Sequence, residues 1–144
     1  MKVFLDTNII LDILLEREGY VDTVELFRLQ EEGKITLAVS ILTIANVAFV
    51  YRKTVGQNAV IPNLKYLSAL VDVLPMGGET LQQSLYLTGN DFEDILQYNC
   101  AVHGNCDAMV TRNEKDFIIR EGLKPLETHI PVYSPSGFLG ALVP

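Results

Sequence analysis

Hydrophobic positions along the chain fall into two rhythms. Short, nearly wholly apolar runs stand at KVFL (2–5), ITLAV (35–39), VDVLP (71–75), DAMVT (107–111) and IPVYS (130–134). Between them lie longer stretches in which apolar residues recur every three or four positions. The first rhythm predicts strands and the second predicts helices. Helices are expected from Asn8 to about Arg17, from Val21 to Glu32 with Gly33 as the stop, and from Ser40 to Arg52 and Lys53. Further helices are expected over Asn58 to Val71, with Pro62 as a start or kink, over Glu79 to about Thr88, and over Phe92 to about His103. Gly89 and Asn90 form the turn between the last two. A short helix from Glu114 to Arg120, closed by Gly122, and a terminal one over SGFLGAL complete the series.

Strands that are short and apolar on both faces, alternating with helices, predict an α/β fold with a mostly parallel sheet covered on both sides. Such sheets place their sites beyond the carboxyl ends of the strands. With 144 residues, one domain spanning 1–144 is expected, large enough for a layered core. The uncharged run from Ile35 to Tyr51 resembles a bilayer span in length, but two threonines, a serine and an asparagine interrupt it. It reads as a strand followed by a central helix, so no membrane is expected.

Charge narrows the function. A net charge of −7 and a pI near 4.7 oppose tight nonspecific binding of nucleic acid through phosphates. They leave room for an enzyme whose acidic residues surround a cation. Cys100 and Cys106 are too few for a disulfide framework and lack zinc-site spacing, so two reduced cysteines in a cytoplasmic protein are expected. Lys2 is the only basic lead at the amino terminus, and Asp6 and Asp12 break any apolar core of an export signal.

The strand ends then supply the chemistry. KVFL is followed by Asp6, Thr7 and Asn8, and DAMVT by Arg112, Asn113 and, in the same segment, Asp116. An aspartate behind a buried strand is costly to keep ionised without a partner. The helix leading into DAMVT opens NDFEDIL, where Asp91 and Asp94, three apart, share a face. Three segments thus bring carboxylates toward one end of the sheet, and oxygen-only ligands select Mg²⁺ or Mn²⁺. Each motif also has a plain structural role. Asn90 with Glu93 has the form of a capping box, Asp91 and Asp94 suit a helix amino terminus, Asn113 suits a cap before Glu114, and Thr7 or Asn8 suits a cap after Asp6. His103 suits the last carbonyls of its helix.

In order, spacing and wording, VFLDTNIILD, then LAVSILTIANVAFVYRK, then DFEDILQYNCAVHGNCDAMVTRNEKDF resemble the PIN domain family over Lys2 to about Val132. The resemblance implies a three-layer α/β fold with a central, mostly parallel sheet flanked by helices. It also implies a metal-dependent ribonuclease like the toxins of VapBC-type toxin-antitoxin pairs. By the same resemblance Asp6, Asp94 and Asp116 are the catalytic carboxylates that hold Mg²⁺ or Mn²⁺. Two positions depart from the family pattern: Asn46 stands where the family usually has a glutamate, and Asn113 where it often has an aspartate. Either asparagine offers a carbonyl oxygen or holds a water, and contributes no charge. For Asn46, a bond to a neighbouring helix is the structural alternative. Asp91 is a second source of charge, Thr7 and Asn8 are hydrogen-bonding support, and Arg112 is placed to meet a substrate phosphate.

Expected partners are an RNA substrate, a small antitoxin protein whose segment covers the acidic site, and a second copy of the chain. The helix Glu79 to Thr88 and the stretch Val60 to Val71 are the candidate contacts for that copy. A degenerate PIN-like module that binds RNA or protein without cutting is the alternative that Asn46 and Asn113 favour. A haloacid-type phosphatase needs a second aspartate where Asn8 stands, and the paired acids and late lysine of a receiver domain are not evident.

Overall fold

The computed structural model describes residues 1–121, 124–125 and 130–143. Its elements run β1 (Lys2–Leu5), α1 (Thr7–Leu14), α2 (Tyr20–Glu31), β2 (Thr36–Ser40), α3 (Ile41–Val55), α4 (Val60–Leu70), β3 (Asp72–Leu74), α5 (Gly78–Ser84) and α6 (Phe92–His103). They continue with β4 (Ala108–Val110), β5 (Arg120–Glu121), β6 (Lys124–Pro125), β7 (Val132–Tyr133) and α7 (Pro135–Leu142), with single 3₁₀ turns at Gln57–Ala59 and Glu114–Phe117.

Five strands form one parallel sheet in the order β3-β2-β1-β4-β7, and β5 pairs with β6 antiparallel beside it. Phe4 of β1 registers with Ala38 on one side and Met109 on the other. Because successive strand residues face opposite ways, Val3, Leu5, Leu37, Val39 and Val110 join one core with Ile9, Ile10, Leu26, Val47 and Phe138. Phe4, Ala38 and Met109 join the other with Ile95, Tyr98, Ala101 and Phe117. This is the three-layer α/β architecture expected.

β1 lies at the centre, flanked by β2 and β4. The chain leaves β1 toward β2 and later returns to β4, so the strand order reverses there. The crevice beyond the carboxyl end of β1 is therefore the topological switch point, where open parallel sheets receive ligands. Among the described residues, no helix is long and apolar enough to cross a membrane.

Several expected boundaries moved. Pro62 sits in the first turn of α4, where a missing N–H costs nothing, and Val60 precedes it. The fifth helix stops at Ser84, well before Thr88, because Thr88 leaves to exchange two backbone hydrogen bonds of 2.8 Å with Arg120. The same exchange prevents a helix from Glu114 to Arg120. One 3₁₀ turn forms instead, and Phe117 and Ile119 alternate inward as in a strand. Gly122, the expected stop, lies outside the described residues.

Candidate active site

The local folding of DTN places the first carboxylate. Asp6 follows β1 directly, its N–H continuing the ladder to the Val110 carbonyl at 3.0 Å. It is itself the amino-terminal cap of α1, in place of Thr7 or Asn8: its Oδ1 accepts from the Thr7 N–H at 2.7 Å. Its Oδ2 accepts from the Thr111 hydroxyl at 3.0 Å, and that hydroxyl accepts from the Asn113 N–H at 3.2 Å. Asp6 is only 7% exposed. Burial pushes its proton affinity up, while the two hydrogen bonds and the nearby Arg112 pull it down. The partners that sequence reasoning required are thus a hydroxyl and a helix amide, with the Arg112 guanidinium acting from farther off.

α6 brings the second group. Asp91 caps this helix, its Oδ1 accepting from the Glu93 N–H at 2.7 Å, so the cap is not the Asn90–Glu93 box. Asn90 instead donates to Asp116 Oδ1 at 3.3 Å. Asp94 is half-buried, and desolvation, followed by repulsion from Asp6, Asp91, Asp116 and Glu93, raises its pKa from 3.8 to about 7. Asp116 sits in the 3₁₀ turn that buried Phe117 anchors. Asn113 precedes that turn without a side-chain capping bond.

One cavity of about 390 Å³ is lined by Asp6, Thr7, Asn8, Asn46, Asp91, Glu93, Asp94, Asn113 and Asp116, with Leu11, Phe49, Val50 and Phe117 as its apolar wall. No lysine, arginine or histidine is among the lining residues. Among the described residues, no three His, Cys, Asp or Glu side chains close into a ready-made metal cage. The donor set is nonetheless oxygen throughout and uncompensated in charge, the chemistry that a hard dication fits.

Arg112 lies outside this lining. Its Nε donates to Asp12 Oδ2 at 3.1 Å, and Asp12 is 1% exposed with Oδ1 unpartnered. His103 contacts Thr80 Oγ1 and Gln83 Oε1 at 3.0 and 2.6 Å, not the carbonyls ending its helix.

Two residues escaped the sequence. Glu93 lines the cavity and accepts from Asn46 Nδ2 at 2.5 Å. Gln97, fully buried, donates to Thr7 Oγ1 at 3.2 Å and Thr43 Oγ1 at 3.1 Å, and accepts from Ser40 at 2.5 Å. That amide clasps the starts of α1 and α3 to α6 and so ties together the three segments that carry Asp6, Asn46 and Asp94. Its signal was an uncharged polar residue about one turn after Asp94 on the helix.

The chain is similar to known proteins over most of its length. A PIN domain model matches residues 2–115. Ribonuclease VapC1 of Aquifex aeolicus is 28% identical over 122 residues, covering 81% of this chain and 83% of that protein. The structure of DNA-bound VapBC from Salmonella typhimurium superposes with a TM-score of 0.63 at 18% identity, covering 94% of this chain and 98% of that one. A toxin-antitoxin complex from Klebsiella pneumoniae gives 0.61 at 19%, covering 92% and 97%. With a sheet switch point lined by carboxylates and a family model spanning most of its length, the chain belongs to the PIN domain family.

Proposed function

We propose that the protein is a divalent-metal-dependent ribonuclease that hydrolyses RNA phosphodiester bonds as the toxin of a toxin-antitoxin pair. The observation that carries this reading is the convergence of Asp6, Asp94 and Asp116 on one cavity at the switch point with no basic side chain in its lining. The relative that is a ribonuclease and the solved toxin-antitoxin complexes support it.

Asp6, Asp94 and Asp116 would hold the ion, Mg²⁺ or Mn²⁺, with Asn113, Asp91, Thr7 and Asn8 around them. When bound, such an ion makes water more acidic and offsets charge on phosphoryl oxygens. The chain supplies the rest. Thr111 and the Thr7 amide leave Asp6 no freedom to rotate, and Asn90 steadies Asp116. Asp12 fixes Arg112 through Nε, leaving the remaining N–H groups of its guanidinium for a phosphate. No separate observation favours the non-cutting module.

A small antitoxin with a cationic segment suits the same acidic cavity, and the cytoplasm is where such a pair acts. A second copy suits the exposed Leu81, Leu85 and Tyr86 at and after α5, together with Ile61 and Tyr66 on α4.

The test is cleavage of structured and single-stranded RNAs in EDTA, Mg²⁺ or Mn²⁺. Wild type cuts only with metal, and Asp6→Asn, which keeps the helix cap, does not cut. Cleavage in EDTA, or an Asp6→Asn variant as active as wild type, overturns the mechanism.

A further inference from the structure

Asn46 on α3 and Glu93 on α6 meet at the cavity wall through a hydrogen bond that joins residues 47 apart in the chain. Three observations make this more than a surface pair. Glu93 lines the same cavity as Asp6, Asp91, Asp94 and Asp116, so its carboxylate lies among the acidic cluster. A glutamate free to turn would swing away from like charges into water; the Asn46 amide opposes that. The base of the side chain is fixed as well. Asp91 binds the Glu93 N–H, and Ile95 and Gln97, 4% and 0% exposed, lock the first turns of α6 into the core. Finally, an amide NH₂ group has no lone pair to give. The end of Asn46 that meets Glu93 therefore donates to a ligand and does not act as one.

Resting on the ribonuclease reading above, we infer that Glu93 is the fourth carboxylate of the cation site and that Asn46 is the positioning residue that holds it over the cavity. α3 thus contributes to the site without a charge of its own, and the carboxylate comes from the first turn of α6, where the helix dipole favours anions. Neighbouring residues on a helix point about 100° apart. Glu93 and Asp94 therefore approach the same cavity from two sides, Glu93 from the α3 side.

The experiment is calorimetric titration of the full chain with Mn²⁺ in the absence of RNA. It compares wild type, Asp6→Asn, Glu93→Gln, Asn46→Ala and the double variant Asn46→Ala/Glu93→Gln. Both side chains reach solvent, and melting in EDTA verifies folding of each variant. Glu93→Gln is expected to weaken Mn²⁺ by at least about tenfold and Asn46→Ala by several-fold, the scale on which ligands and their supports act. Asn46→Ala should change nothing further once Glu93 is gone. Glu93→Gln binding as tightly as wild type overturns the inference. So does an Asn46→Ala that has no effect, or one whose effect persists undiminished in the double variant, since Asn46 would then act on the ion directly. Wild type that binds no Mn²⁺ removes the ribonuclease reading beneath. Loss in Asp6→Asn with none in Glu93→Gln removes this inference alone.

Discussion

Asp94 offers a way to measure the strain of the acidic cavity as a stability. Its pKa rises from 3.8 to about 7 through desolvation and the repulsion of four neighbouring carboxylates. Between those values the folded protein holds a proton on Asp94 that the unfolded chain has released. Folding stability from this group is therefore complete below pH 3.8 and is lost as pH rises through 7. The undiscounted shift corresponds to ~4 kcal/mol at 1.36 kcal/mol per unit; half-burial lets water screen it to about 1–2 kcal/mol. Asp94→Asn removes the charge and keeps the shape. In EDTA its melting temperature should match wild type near pH 4 and exceed it by about 2–8 °C at pH 8, at roughly 2–4 °C per kcal/mol for a chain of this size. The assay is a pH series of thermal melts on both proteins, with cleavage measured in parallel and expected to be lost in the variant. A melting difference independent of pH, or a variant less stable at pH 8 than wild type, would refute the argument that the carboxylates repel one another across the cavity.

Other outcomes follow from the same geometry. Millimolar Mn²⁺ should raise the melting temperature of wild type at pH 8 through linkage and leave Asp6→Asn unmoved; equal shifts in both would place the ion elsewhere. Asp6→Ala, which removes the helix cap together with the ligand, should cost about 1 kcal/mol more in urea unfolding than Asp6→Asn. Gln97→Leu strands the Thr7 hydroxyl in the core and leaves Ser40 and Thr43 only each other, and should destabilise by ~1–3 kcal/mol; a variant as stable as wild type would show the clasp to be dispensable. Arg112→Ala leaves Asp12 buried and unpaired at a cost of about 3 kcal/mol, and Asp12→Asn in the same chain should restore part of it, as denaturant titration would reveal.

The layered fold was legible because both faces of the central strands β1, β2 and β4 are apolar, a pattern few other architectures demand. The cavity was legible only where a carboxylate follows a strand, as with Asp6, or falls at helical spacing, as with Asp91 and Asp94. Glu93 was hidden because its neighbour along the helix already explained the motif, and because its partner Asn46 lies 47 residues away. Gln97 was hidden for a related reason: one polar side chain within an apolar helix face carries no period. Helix ends near Thr88 and Arg120 were misjudged because those residues pair with each other. Local propensity has no access to a contact between segments so far apart.

The Gln97 clasp has a consequence for when activity arises during synthesis. Its bonds span 90, 54 and 57 residues, and the carboxylates it aligns are divided between the end of β1 and a helix made much later. Domains fold as the chain emerges, amino-terminal parts first, and contacts of such long sequence separation form late. Asp6 is thus exposed early but has no companions until α6 and the segment after β4 have been translated. A chain truncated before Glu93 carries only Asp6 of the four carboxylates proposed to hold the cation, so the site is assembled only after α6 and the segment after β4 have been made.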